Sequence, residues 1–218
     1  MRVIGHRGCP ALAPENTLAA FDAAAKRLDW VELDVRRCGS GELVVVHDET
    51  LDRVTGATGR VDETRLAELQ ALTVGGSDES IPTLAAVFDA LPDRVSVNVE
   101  LKETGLADDL AAVAGEAEHE ILVSSFDADA LREGRETTAL PVAFLFAADW
   151  DESLSVAADL DCAAVHPHYD LLSSSRVEEA HDRGFEVNAW TVPDREVARR
   201  LREYGVDGVV VDDPGVAE

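Results

Sequence analysis

The chain has 218 residues, enough for one domain (1–218) with a substantial core, and carries 44 acidic against 19 basic residues, a net charge of −25. Its hydrophobic fraction is 46%, with no apolar run of transmembrane length and no basic-then-apolar leader, so a cytoplasmic protein without stable membrane insertion is expected. So acidic a surface argues against nucleic acid as a partner and against docking on anionic lipid.

Lysine is nearly absent: Lys26 and Lys102 stand beside 17 arginines. An acidic, lysine-poor surface stays soluble where molar salt screens its self-repulsion, which points to a halophile's cytoplasm. The three cysteines, Cys9, Cys38 and Cys162, are odd in number and lack CxxC or zinc spacing, so no disulfide scaffold is expected. Cys9 reads as a small buried residue.

In chain order, short apolar strands are predicted at 2–5, 31–35, 43–47, 95–101, 121–124, 142–146, 163–166, 187–190 and 208–211. Helical patterns separate most of them, as at 17–28, 83–91, 106–118, 173–183 and 195–204. Strands alternating with helices indicate parallel βα units. Their number predicts an α/β fold of the TIM (β/α)₈ barrel type, and no Gly-rich dinucleotide fingerprint follows the first strand to suggest an open sheet.

Nine strands is one too many. The second and third are joined only by Cys38-Gly39-Ser40-Gly41-Glu42, too short for a parallel crossover, so they must form a hairpin extending from the barrel mouth. In an antiparallel pair, opposed residue numbers share a constant sum. A two-residue turn at Ser40-Gly41 makes that sum 81 and sets His47 opposite Asp34; a turn at Gly39-Ser40 makes it 79 and sets His47 opposite Glu32. Residues 51–81 then fit a small insertion over the mouth, a partial lid or substrate wall, with one helical pattern at 62–72. Only a short tail, 213–218, comes after the end of the last strand, too short for a covering helix, so a homo-oligomer contact is one hypothesis for that cover.

The chemistry collects at the C-terminal ends of these strands, which in a barrel share one face. There stand His6 and Arg7, Glu32 and Asp34, Glu100 and Lys102, and Trp190, with His47 on the hairpin. Ser125 and His166 are weaker members of the set, while Glu15 and Asn16 read as helix-start residues. Three carboxylates from two strands suit one hard divalent cation, Ca²⁺ or Mg²⁺, with Mn²⁺ a further candidate. Two histidines can act as acid and base near neutral pH, and an arginine and a lysine can hold a phosphate. Trp190 reads equally as core or as a pocket wall. Lys102 stands out, because in a chain purged of lysine a surface role would have gone to arginine.

The motifs His6-Arg7-Gly8 with Pro14-Glu15-Asn16-Thr17, Glu32-Leu33-Asp34-Val35, Val46-His47-Asp48-Glu49-Thr50-Leu51-Asp52-Arg53, Ile81-Pro82-Thr83-Leu84, Val99-Glu100-Leu101-Lys102, Ser124-Ser125-Phe126 and Ala189-Trp190-Thr191-Val192 occur in this order. Together they resemble the glycerophosphodiester phosphodiesterases over nearly the full length. That resemblance implies Glu32, Asp34 and Glu100 as metal ligands, His6 and His47 as the acid–base pair, and phosphate or substrate contacts from Arg7, Lys102 and Trp190. It implies metal-dependent hydrolysis of a small glycerophosphodiester to glycerol phosphate and an alcohol through a cyclic phosphate. Val211 and Val54 stand where the family usually has threonine, and its C-terminal helix is missing. Competing readings are a phospholipase D- or C-like activity on lyso- or intact phospholipids and an inactive metal- or phosphate-binding barrel.

Overall fold

The computed structural model describes residues 1–217. Nine strands appear: β1 (Arg2–Gly5), β2 (Trp30–Arg37), β3 (Leu43–Val45), β4 (Ser96–Leu101), β5 (Ile121–Ser125), β6 (Val142–Phe146), β7 (Ala164–Pro167), β8 (Glu186–Ala189) and β9 (Gly208–Val211). Eight of them run parallel in the order β1-β9-β8-β7-β6-β5-β4-β2, and β1 pairs with β2 to close the ring. β3 lies antiparallel on β2 outside it. The fold is a TIM barrel with one extra strand, as the alternating pattern predicts.

The helices are α1 (Leu18–Ala25), α2 (Asp52–Thr55), α3 (Leu66–Leu69), α4 (Leu84–Ala90), α5 (Ala107–Ala114), α6 (Ala128–Thr137), α7 (Trp150–Asp159), α8 (Ser174–Asp182) and α9 (Arg195–Tyr204). Five of the nine start at a side-chain cap: Thr17, Thr83, Asp127, Ser173 and Asp194 each accept from a backbone N–H of the first turn. Strand alternation divides the residues between two environments. On β2 and β4, Val31, Leu33, Val35, Val97, Val99 and Leu101 join the apolar layer beneath the helices. Glu32, Asp34, Asn98 and Glu100 occupy the alternate positions and are also buried. Low in the barrel, Leu122, Ala143 and Ala164 pack with Trp30 as an apolar plug.

The hairpin register differs from both expectations. Val35 pairs with Val45, Arg36 with Val44 and Arg37 with Leu43, a constant sum of 80. Cys38 N–H donates to the Glu42 carbonyl at 3.0 Å, leaving a three-residue loop, Gly39-Ser40-Gly41. Its tight packing explains the choice: a Cβ on Gly39 would lie 2.8–3.0 Å from the backbone of residues 63 and 64. His47 therefore faces neither acid across a ladder. The strand ends at Val45, the chain bends, and the His47 carbonyl accepts from Arg36 Nε at 2.9 Å.

Residues 51–81 hold α2, a 3₁₀ turn at Val61–Glu63 and α3, shorter pieces than the predicted helix. Leu51, Val61, Leu69, Val74 and Ile81 bury themselves against Val44 and Val46 of the arm. The segment buttresses the hairpin instead of walling the cavity. At the other end, the last strand is covered from within the chain. Val209, Val210 and Val211 are 0–3% exposed, and Val209 and Val211 share a cluster with Leu201 of α9 and Cys9. No second copy is needed to shield them.

Candidate active site

A cavity of about 110 Å³ opens at the C-terminal end of the barrel, lined by His6, Arg7, Glu32, His47, Glu100 and Lys102. Asn98, Phe126, His166 and Trp190 line it as well. Seven of the eight residues expected from sequence therefore line one space, and the eighth, Asp34, lies buried beside it.

The turn after β1 builds one rim. Arg7 takes a left-handed backbone (φ 50°), and its amide donates to Glu32 Oε2 at 2.9 Å. Strain of this kind persists only where surroundings enforce it. Gly8 (φ 76°) permits the turn, since a Cβ there would sit 2.8 Å from the Ala20 Cβ of α1. The Arg7 guanidinium reaches Glu15 at 2.9 Å and Asp34 at 3.2 Å. Asn16 donates its amide to Asp34 Oδ2 at 2.8 Å, so Glu15 and Asn16 belong to the site and only Thr17 caps the helix.

Glu32, Asp34 and Glu100 each offer a carboxylate oxygen, all within 4.8 Å of one another. Asp34 and Glu100 are direct partners in the β2–β4 register, which explains the convergence. Lys102 pairs with Glu100, and its ammonium lies 3.5 Å from Asp34 Oδ1. Yet Glu32 Oε1 and Asp34 Oδ1 are buried without a hydrogen bond. Burial and the neighbouring Asp34 charge push both Glu32 and Glu100 above the usual carboxylate range. Buried all-oxygen donors of like charge, two of them orphaned, fit a hard divalent cation.

The two histidines each rest on a carboxylate. His6 Nδ1 meets Asp212 Oδ1 at 2.6 Å, and His47 Nδ1 meets Asp48 Oδ1 at 2.5 Å. Burial pulls the His6 pKa down, but the Asp212 bond and the Glu32 charge outweigh it and leave it above its ordinary value. For His47 burial wins over Asp34 and Asp48, and the pKa is lowered.

Residues 6–216 match the Glycerophosphoryl diester phosphodiesterase family. The chain belongs to this family. It is 34% identical to a glycerophosphodiester phosphodiesterase of Caldanaerobacter subterraneus, over 97% of this chain and 94% of that one. Among solved structures, an Oleispira antarctica phosphodiesterase in complex with the product sn-glycerol-3-phosphate superposes with a TM-score of 0.93 at 31% identity, covering 100% and 95% of the two chains. A Thermotoga maritima glycerophosphodiester phosphodiesterase gives 0.85 at 30% identity, covering 97% and 94%. Membership makes this chain an enzyme, a phosphodiesterase of the glycerophosphodiester class. No helix among the described residues is long and apolar enough to cross a membrane.

Several members of this site escape sequence reasoning. Asp212 lies 206 residues from His6, and its only signal is an acid one step past a strand end. Asp48 and Arg53 read as motif letters without partners. Ser125 binds the Leu101 carbonyl at 2.7 Å and does not line the cavity, whereas His166 does. Trp190 resolves as a wall: it meets Phe126 edge-on with centroids 5.2 Å apart, and its indole N–H donates to the His166 carbonyl at 2.6 Å. Cys9 is buried, and burial holds its thiol up at about 12, so it is no nucleophile.

Proposed function

We propose that the chain works as one catalytic domain that hydrolyses small glycerophosphodiesters to glycerol phosphate and an alcohol, with His6 and His47 exchanging the protons. One observation carries this reading: two histidines, each set by its own carboxylate, and two cationic side chains line one cavity beside three converging buried acids. Glu32, Asp34 and Glu100 would hold one divalent cation, Mg²⁺, Ca²⁺ or Mn²⁺. When bound, it would neutralise charge on the phosphoryl oxygens and on the attacking hydroxyl.

Arg7 and Lys102 bind and orient the phosphate, the arginine fixed from behind by Glu15. The opposed shifts of the histidines support a division of roles between them. His47, held neutral, takes the proton from the glycerol hydroxyl next to the ester. The hydroxyl oxygen bonds to phosphorus as the bond to the leaving alcohol breaks, and His6 delivers a proton to the departing alkoxide. The five-membered cyclic phosphate is then opened by water with the proton transfers reversed. The Oleispira relative's product, sn-glycerol-3-phosphate, supports glycerol phosphate as the product here.

An open groove lined by Phe126, Phe144, Phe146, Ala147 and Ala148 adjoins the cavity, sharing Phe126 and Leu145 with it. It could take an alkyl chain, which keeps lysophospholipid as the second substrate class. Glycerophosphodiesters and lysophospholipids assayed side by side with each cation distinguish the readings. Glycerol phosphate release from the soluble diesters is expected, with the cyclic phosphate visible by ³¹P NMR. Turnover of lysolipid alone, or of no diester at all, would overturn the proposal.

A further inference from the structure

Beside the three acids, the barrel interior holds buried polar atoms without a hydrogen-bond partner: Asn98 Oδ1, Ser124 Oγ, His166 Nδ1 and Asn188 Oδ1. They come from β4, β5, β7 and β8, and none has a part in the proton transfers or the cation site. Asn98 and His166 both line the catalytic cavity. Asn98 is the register partner of Glu32 and sits two residues before Glu100 on the same face of β4, so it lies one step deeper than that acid. A buried polar atom left without a partner is costly, and several of them call for an occupant.

His166 shows what kind. It is 0% exposed, and burial, with the Arg2 charge adding to it, depresses its pKa to about 3. The ring is therefore neutral. Asn188 Nδ2 meets its Nε2 at 3.0 Å, which leaves the proton on Nδ1, directed at no partner. The pair is built in: Asn188 Oδ1 fills the space that a Cβ on Gly208 would take, 2.2 Å away, and Trp190 fixes the His166 carbonyl. Nδ1–H offers a donor and Asn98 Oδ1 an acceptor. A group that both accepts and donates without carrying charge answers this demand, and a hydroxyl is such a group.

We propose that His166 and Asn98 form a hydroxyl-recognition subsite in the cavity lining, and that it takes the glycerol hydroxyl which neither carries nor attacks the phosphorus. This rests on the phosphodiesterase reading above. The phosphate and the attacking hydroxyl are claimed by Arg7, Lys102, His47 and the acids, so the third oxygen of glycerol is the one left to place. Asn98 pairs in register with Glu32 and stands one step before Glu100, and it shares the cavity lining with His166, so a three-carbon polyol bound at the acids extends to them.

The test compares a glycerophosphodiester with the matching 2-hydroxyethyl phosphodiester, which keeps the attacking hydroxyl and lacks the terminal CH₂OH. A site built around a hydroxyl rejects an analogue lacking it, by up to about 10⁴-fold in demanding cases. The wild-type enzyme is expected to favour the glycerol substrate in kcat/KM by about 100-fold or more. In His166→Phe and Asn98→Leu, each checked for folding by near-UV circular dichroism, the preference is expected to shrink at least tenfold. Equal losses on both substrates would mean a merely structural role and overturn the proposal. Should the variants not fold, the wild-type ratio alone decides, and a preference under about threefold sinks it. A glycerol phosphate complex with an ordered water still between the ligand and His166 would also overturn it. Failure of the wild type to cleave either diester would instead refute the phosphodiesterase reading.

Discussion

Arg53 grips the Glu15 carboxylate with two hydrogen bonds, 2.8 and 2.7 Å long. The same guanidinium reaches Asp48 at 2.5 Å, so one residue of the buttressing segment ties together the partner of Arg7 and the partner of His47. The fork geometry of arginine makes this possible, and lysine cannot reproduce it. It also drives Glu15 and Asp48 down to about 2: for Glu15 against the opposing effect of burial, for Asp48 as the leading cause.

Arg53→Ala should therefore lower kcat by about tenfold to a hundredfold, the usual cost of losing a supporting partner. Arg53→Lys should recover only part of it. Cation affinity, measured by calorimetric titration, should stay close to wild type, because Arg53 touches none of the three buried acids.

The histidines set a bell-shaped pH profile. With the His47 pKa lowered, the acid limb of kcat/KM falls below the ordinary imidazole value; with that of His6 raised, the alkaline limb lies above it. Asp212→Asn removes an interaction that raises the His6 pKa and should move the alkaline limb to lower pH. Asp48→Asn removes one that raises the His47 pKa and should move the acid limb lower still. His47→Ala should cost about 10²–10⁴-fold in turnover while cation binding persists.

Chelation should abolish turnover and lower the thermal midpoint. Three carboxylates within 4.8 Å resist ionising together in the ion-free protein, and a cation bound to the native state alone adds about 2.7 kcal/mol at a hundred times its Kd. Calorimetry with and without EDTA, followed by return of each ion, checks this. An unchanged midpoint and undiminished activity would remove the cation from the scheme.

His166 contributes a pH dependence of stability whose sign is fixed. Folded, its pKa is about 3; unfolded, it returns to 6.5. Between these values the unfolded chain binds a proton that the native state refuses, so stability falls as pH drops from 6.5 towards 3. The slope contributed is at most about 1.4 kcal/mol per pH unit. Urea titrations at constant high salt should show this loss, and His166→Phe should flatten it.

With a net charge of −25, self-repulsion opposes the compact state, and salt screens it. The unfolding midpoint should climb with KCl from 0.1 M to the molar range. A flat response would show that the surface acids are already locally paired.

The barrel was legible in the sequence because its signals are local. Apolar strands alternate with capped helices, and polar residues recur at strand C-terminal ends, so His6, Arg7, Glu32, Glu100 and Lys102 could be assigned to one rim before any coordinates. The hairpin was legible as a hairpin, since five residues cannot cross a sheet. Its register was not, because two-residue and three-residue loops differ by one position and the choice was made by Gly39 packing on residues 63 and 64. The carboxylate partners were equally hidden. Asp212 meets His6 only because β9 closes on β1, and Arg53 meets Glu15 only because the segment after the hairpin folds back across 38 residues. The chain's periodicity thus determined the fold and which residues face the mouth. Barrel closure and the packing of one loop decided which charge touches which, because contact between distant residues is a property of three-dimensional closure that no local pattern carries.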